Sequence, residues 1–203
     1  MRKCCGRPSS EAKLELERSA KTFAETGKHA EAAEALRKRV RLSPENPMVW
    51  NDLGVQSMAA GLPEAAYEAF QRAHQALPDY PLALYNLGAF AMVCCVLGQG
   101  VQDSPVERTQ SLAQEAIRYL TRSLDREPSL TQAHVLLSAA YGVIGDEVRA
   151  QFHRQQAAAP DSNAFATTGR TWGSAPGMVW KPPVQREFAF VMSSGRVIHL
   201  RSV

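Results

Sequence analysis

Trp50, Leu53 and Gly54 are followed by Ala66, Phe70, Ala73 and Pro78, and the same alternation of large and small residues returns further along the chain. The next set is Leu84, Leu87, Gly88, Ala116, Leu120, Ser123 and Pro128, stretched by extra residues between Gly88 and Ala116. A later set reads His134, Leu137, Ser138, Gly145 and Ala150, and an earlier one Leu16, Phe23, Gly27, Ala32, Leu36 and Pro44. A chain that repeats its packing residues at an interval builds one small unit several times, each burying its apolar face on the next. Within each set the apolar residues follow the helical period, so the unit is a pair of helices. Small residues at Ala32, Gly54, Ala66, Gly88 and Ala116 let helices approach, while Trp50, Phe70, Leu84 and Leu120 fill the space beside them.

Boundary signals agree. Asn46 before Pro47 is a capping side chain followed by a residue suited to the first helical position. Ser104-Pro105-Val106-Glu107 supplies cap, proline and reciprocal glutamate, and Gly27, Gly61 and Gly145 close the first helices of their units. Together these predict helices over 10–26, 29–42, 47–60, 63–76, 81–97, 105–126, 131–144 and 147–158. The spacing resembles the tetratricopeptide repeat (TPR), a helix-turn-helix unit of about 34 residues, and the resemblance covers residues 10–160. Ser19 and Ala20 replace the Leu-Gly pair of the first copy, and Arg154 replaces a large apolar residue of the fourth. The expected fold is all-α, a right-handed helical-repeat solenoid of about four TPR units with an irregular C-terminal tail ending in a β-hairpin. Residues 1–9 are expected to be a flexible N-terminus and 10–160 the array. Its third unit (81–130) carries an insertion at about 98–113. Residues 161–186 read as an irregular linker and 187–203 as the hairpin.

The insertion lengthens both helices of the third unit into an arm of roughly 15 Å, which reads either as a partner or dimer contact or as a tolerated loop. Beyond the array, "PDSNAFATTGRTWGSAPGMVWKPPVQ" is rich in Gly, Pro, Ser and Thr. "EFAFVMSSGRVIHL" then alternates about a Ser-Gly turn, the pattern of a hairpin. A lone hairpin is marginal in water, so it should lie on something. The tail is expected to cap the end of the array or to lie along its inner surface, with the Trp172/Trp180 segment as one occupant.

A net charge of +3 on 203 residues is too small to point to nucleic acid. Between residues 47 and 104 the one Lys or Arg is Arg72, against Asp52, Glu64, Glu68, Asp79 and Asp103. The cysteines form two adjacent pairs, Cys4-Cys5 and Cys94-Cys95, without zinc-knuckle spacing. No apolar run follows Arg2-Lys3, so no secretory signal is read and a cytoplasmic setting is expected. "LGAFAMVCCVLG" (87–98) is apolar but begins after Asn86 and ends at Gly98, which favours a buried helix over a membrane span. The five histidines lack metal-ligand spacing, and no nucleophile elbow or phosphate loop is present. His134 occupies a packing position, and "RKRVR" (37–41) reads as a solvated helix face. No catalytic residue, cofactor or metal is expected.

The resemblance implies a concave wall built from the first helix of each unit, able to hold an extended or helical segment of another protein. At matching positions stand Met48, Asn51, Val55, Met58, Leu82, Tyr85, Ala89, Met92, Val93, Val135 and Val143. Glu17 occupies a position where family members that clamp acidic C-termini carry cations, so such a clamp is not expected. Methionine adapts to varied apolar shapes, which suits an apolar or amphipathic segment of a protein or peptide partner. The implied function is an adaptor or scaffold. Alternatives are a small secretion-type chaperone holding an apolar cargo segment, and a structural homo-oligomer associating through the arm and the hairpin.

Overall fold

The computed structural model describes residues 10–99, 106–158 and 187–201. Among them run α1 (Ser10–Glu25), α2 (His29–Leu42), α3 (Pro47–Ala59), α4 (Pro63–Ala76), α5 (Pro81–Gln99), α6 (Val106–Arg126), α7 (Thr131–Val143) and α8 (Glu147–Ala157). Two strands, β1 (Glu187–Val191) and β2 (Val197–Arg201), pair as the expected hairpin. Helix ends lie close to the predicted ones; the largest difference is at α5, which runs to Gln99 rather than 97. The Ser104-Pro105 start signal, Cys4-Cys5 and the whole linker 161–186, with Trp172 and Trp180, fall outside the described residues.

The chain divides into two compact units. The first holds α1 to α4, the start of α5 through Leu87, and hairpin residues 190–198. Successive helices pack in order, α1 on α2, α2 on α3 and α3 on α4. Asn46 Oδ1 accepts the Met48 N–H at 2.9 Å ahead of Pro47, as the capping signal predicts. At the end of α3, Gly61 has φ +75°. Its N–H bonds to Met58 O and that of Leu62 to Ser57 O, a pairing that needs a left-handed residue and so a glycine. The same pair of bonds recurs after α1 and α7.

Ala20, Ala33, Leu36, Val40, Leu53 and Ala69 form one buried cluster, with Val49 and Trp50 against it. The Trp50 indole donates to Pro44 O at 2.7 Å, tying the α2–α3 connection to α3. Gly54 lies under Phe70: a Cβ there would stand 2.4 Å from the ring. The ring itself is fully buried. That missing methyl is what lets α3 and α4 close.

The second unit takes α5 from Gly88, then α6, α7 and α8. Gly88 repeats the Gly54 device, since a Cβ would meet Leu120 at 2.6 Å and Ala116 O at 3.3 Å. Cys95 is buried with its thiol 3.6 Å from Thr109 O, and burial pushes both Cys94 and Cys95 above the usual thiol range. Such thiols are poor nucleophiles. On α8 only Ala150 is buried; Val148 and Phe152 stand 82% and 53% exposed. No helix among the described residues is long and apolar enough to cross a membrane.

His134 of α7 and His153 of α8 meet Nδ1 to Nδ1 at 2.8 Å. The His153 ring stacks on Tyr141 with centroids 5.5 Å apart. Burial lowers both histidines below their ordinary value, and the neighbouring imidazole lowers His153 further. A folded state that resists protonation loses stability as pH falls through the ordinary histidine value near 6.5. Protection of the α7 and α8 amides, measured against the intrinsic exchange rate at each pH, is therefore expected to fall between about pH 7.5 and 5.5. A His153→Phe variant should flatten that dependence; an unchanged slope would show that the pair does not sense protons.

Candidate functional site

The hairpin turns through Met192-Ser193-Ser194-Gly195. Gly195 N–H bonds to Met192 O, Met192 N–H bonds to Arg196 O, and Gly195 has φ +78°. This is a three-residue loop closed by a left-handed glycine. It places Val191 at the end of β1, where the main chain reaches α3 and the start of α5.

Two asparagines grip that main chain. Asn86 of α5 donates from Nδ2 to Val191 O at 2.8 Å and accepts the Val191 N–H on Oδ1 at 2.9 Å. Asn51 of α3 donates to the same carbonyl at 3.0 Å, and its Oδ1 accepts the second Asn86 amide hydrogen at 2.8 Å. Both asparagines are fully buried. Burying two amides is costly unless their polar atoms find partners, and here the Val191 backbone and the bond between the two asparagines supply them.

Side chains flank the grip. Phe190, also fully buried, stacks parallel to Phe70 with centroids 5.9 Å apart. Asp52 of α3 accepts the Ser193 N–H on one oxygen at 2.6 Å and the Ser193 hydroxyl on the other at 2.5 Å. Burial pushes the Asp52 carboxyl above the ordinary range, while the bonds from Ser193 and Asn51 act to lower it. The carboxylate thus depends on the hairpin turn for solvation. Gln56 donates to the Met192 sulfur at 3.2 Å, and its Oε1 accepts a hydrogen bond from His29 Nδ1 at 2.9 Å. A carbonyl oxygen only accepts, so His29 carries hydrogen on Nδ1 and holds the Gln56 amide toward the hairpin.

The eleven wall residues fare differently. In the first unit, Asn51, Val55, Met58 and Tyr85 are buried, Leu82 is half-buried and Met48 is 53% exposed. In the second, Ala89 and Met92 are buried, Val93 and Val143 half-buried, and Val135 37% exposed. Of the eleven, Asn51 bonds the hairpin directly. The sequence reading missed Asp52, Gln56 and Asn86. Their signal was polarity on helices otherwise apolar at that height. Among the described residues no group of three or more His, Cys, Asp or Glu side chains is placed to hold a metal ion.

No family model and no curated protein matches the sequence. Solved structures do match in shape. The chain is similar to MamA at 22% identity, covering 72% of this chain and 76% of that one, with a TM-score of 0.59. It is similar to TTC0263, a TPR protein of Thermus thermophilus, at 17% identity over 71% and 72% of the two chains, TM-score 0.58. YrrB, described as a TPR protein with an unusual peptide-binding site, aligns at 17% identity over 73% and 69%, TM-score 0.54. The first TPR of Spaghetti (RPAP3), bound to the HSP90 peptide SRMEEVD, aligns at 18% identity over 69% and 98%, TM-score 0.56. Paired helices, glycine-closed first helices and these shared shapes together make the fold of this chain that of the tetratricopeptide repeat.

Proposed function

We propose that the protein is an interaction adaptor whose α3–α5 face holds an extended segment of another protein, and that its own hairpin occupies this face at rest. The observation that carries this reading is the double amide grip on Val191. It engages the main-chain N–H and C=O, so it suits a strand from any source. Two structural neighbours with peptide-related descriptions, YrrB and the RPAP3 repeat, lend support by likeness of fold. Met48, exposed on the same helix as Asn51, offers an adaptable apolar contact beside the grip.

The test uses the full chain with a protease site built into residues 161–186 and cut after folding. The severed hairpin is expected to remain bound and to exchange with a fluorescent peptide of residues 187–203, while circular dichroism keeps its helical signal. If release of the hairpin melts the helices instead, the face is interior packing and the adaptor reading fails.

A further inference from the structure

The way the hairpin sits on α3, α4 and α5 specifies what else could sit there, provided the adaptor reading holds. We infer that the hairpin is a built-in stand-in for the partner. The partner then presents a strand running into a tight turn with the order aromatic, aliphatic, any residue, serine or threonine.

Each position follows from a contact. The place of Phe190 is fully buried and faces the flat of the Phe70 ring, so a planar side chain gains stacking there that an aliphatic one lacks. At Val191 recognition is of the backbone: its N–H and C=O are taken by Asn86 and Asn51, and the side chain is nearly buried, which asks for a compact aliphatic group. Met192 is half-buried and meets the Gln56 amide through sulfur, a weak acceptor, so this position discriminates little.

The place of Ser193 is the most demanding. Asp52, half-buried, offers two oxygens, and the turn meets one with a main-chain N–H and the other with a hydroxyl. A residue without the hydroxyl leaves one oxygen of this half-buried carboxylate without its protein partner, which weakens binding. An acidic residue there sets like charges against each other, and so does a phosphorylated serine. The turn also matters, since the Met192–Arg196 bond positions the Ser193 N–H.

The full chain cleaved after folding supplies the measurement, with unmodified helices throughout. Labelled peptide 187–203 is displaced by unlabelled peptides of the same length. Phe190→Ala and Ser193→Ala peptides are expected to compete about tenfold more weakly than the parent. A Ser193→Asp peptide should hardly compete, and Met192→Leu should stay within roughly threefold of the parent. Equal competition by all four overturns the inferred order of residues and leaves the adaptor reading standing. Absence of any exchange removes both. A Ser193→Thr peptide matching the parent while Ser193→Ala fails would tie the preference to the hydroxyl.

Discussion

Phe70→Ala is expected to lower stability by about 3–5 kcal/mol, the range for truncating a fully buried aromatic. The melting temperature should fall on the order of 10 °C. The ring serves two contacts at once, filling the space above Gly54 and stacking on Phe190. Loss of the ring therefore loosens both the α3–α4 packing and the hairpin. A double-mutant cycle separates this from simple cavity formation. Gly54→Ala alone should be destabilising, because its Cβ would stand 2.4 Å from the ring. Introduced into the Phe70→Ala background, the same methyl enters vacated space and should be neutral or stabilising by up to about 1 kcal/mol through helix propensity. Additive effects of the two substitutions would refute the account of Gly54 as clearance for this ring.

Asn86→Leu is the second large effect, expected at about 3 kcal/mol. It removes both partners Asn86 gives to Val191 and the donor that satisfies Asn51 Oδ1. Each buried group left unmatched costs roughly 1–3 kcal/mol. Asn86→Asp should be no milder. Its second oxygen would point at Val191 O and Asn51 Oδ1, replacing two attractions by two repulsions. The readout is hydrogen exchange: the Val191 amide should lose protection while α1 and α2 keep theirs. Full protection at Val191 in either variant would show that the grip contributes little.

Local features of this fold were legible in the sequence because their causes are local. Asn46 caps the residue two positions on, and Gly61 closes a helix through bonds to Ser57 and Met58. The hairpin was visible for the same reason, through its alternation and the Ser-Gly turn. The site was only half legible. Asn51 could be placed on the wall by its position in the repeat, but Asn86 read merely as an interruption of an apolar run. Its partner is 105 residues away, and no spacing rule connects them. Asp52 was hidden likewise, since an aspartate on a helix ordinarily faces water and only the returning turn removes that water. Helical periodicity says which residues share a face; it cannot say that Tyr85 is covered while Met48 is open.

The distance along the chain between the grip and what it grips has a consequence for synthesis. Asn86 leaves the ribosome 105 residues before Val191, an interval on the order of 10 s at about 5–20 residues per second. During that time the first two helical pairs and the start of α5 can fold, but the strand that satisfies Asn51 and Asn86 in the final way is not yet made. The ring of contacts can therefore close only after the strand has been made, well after the helices that hold it.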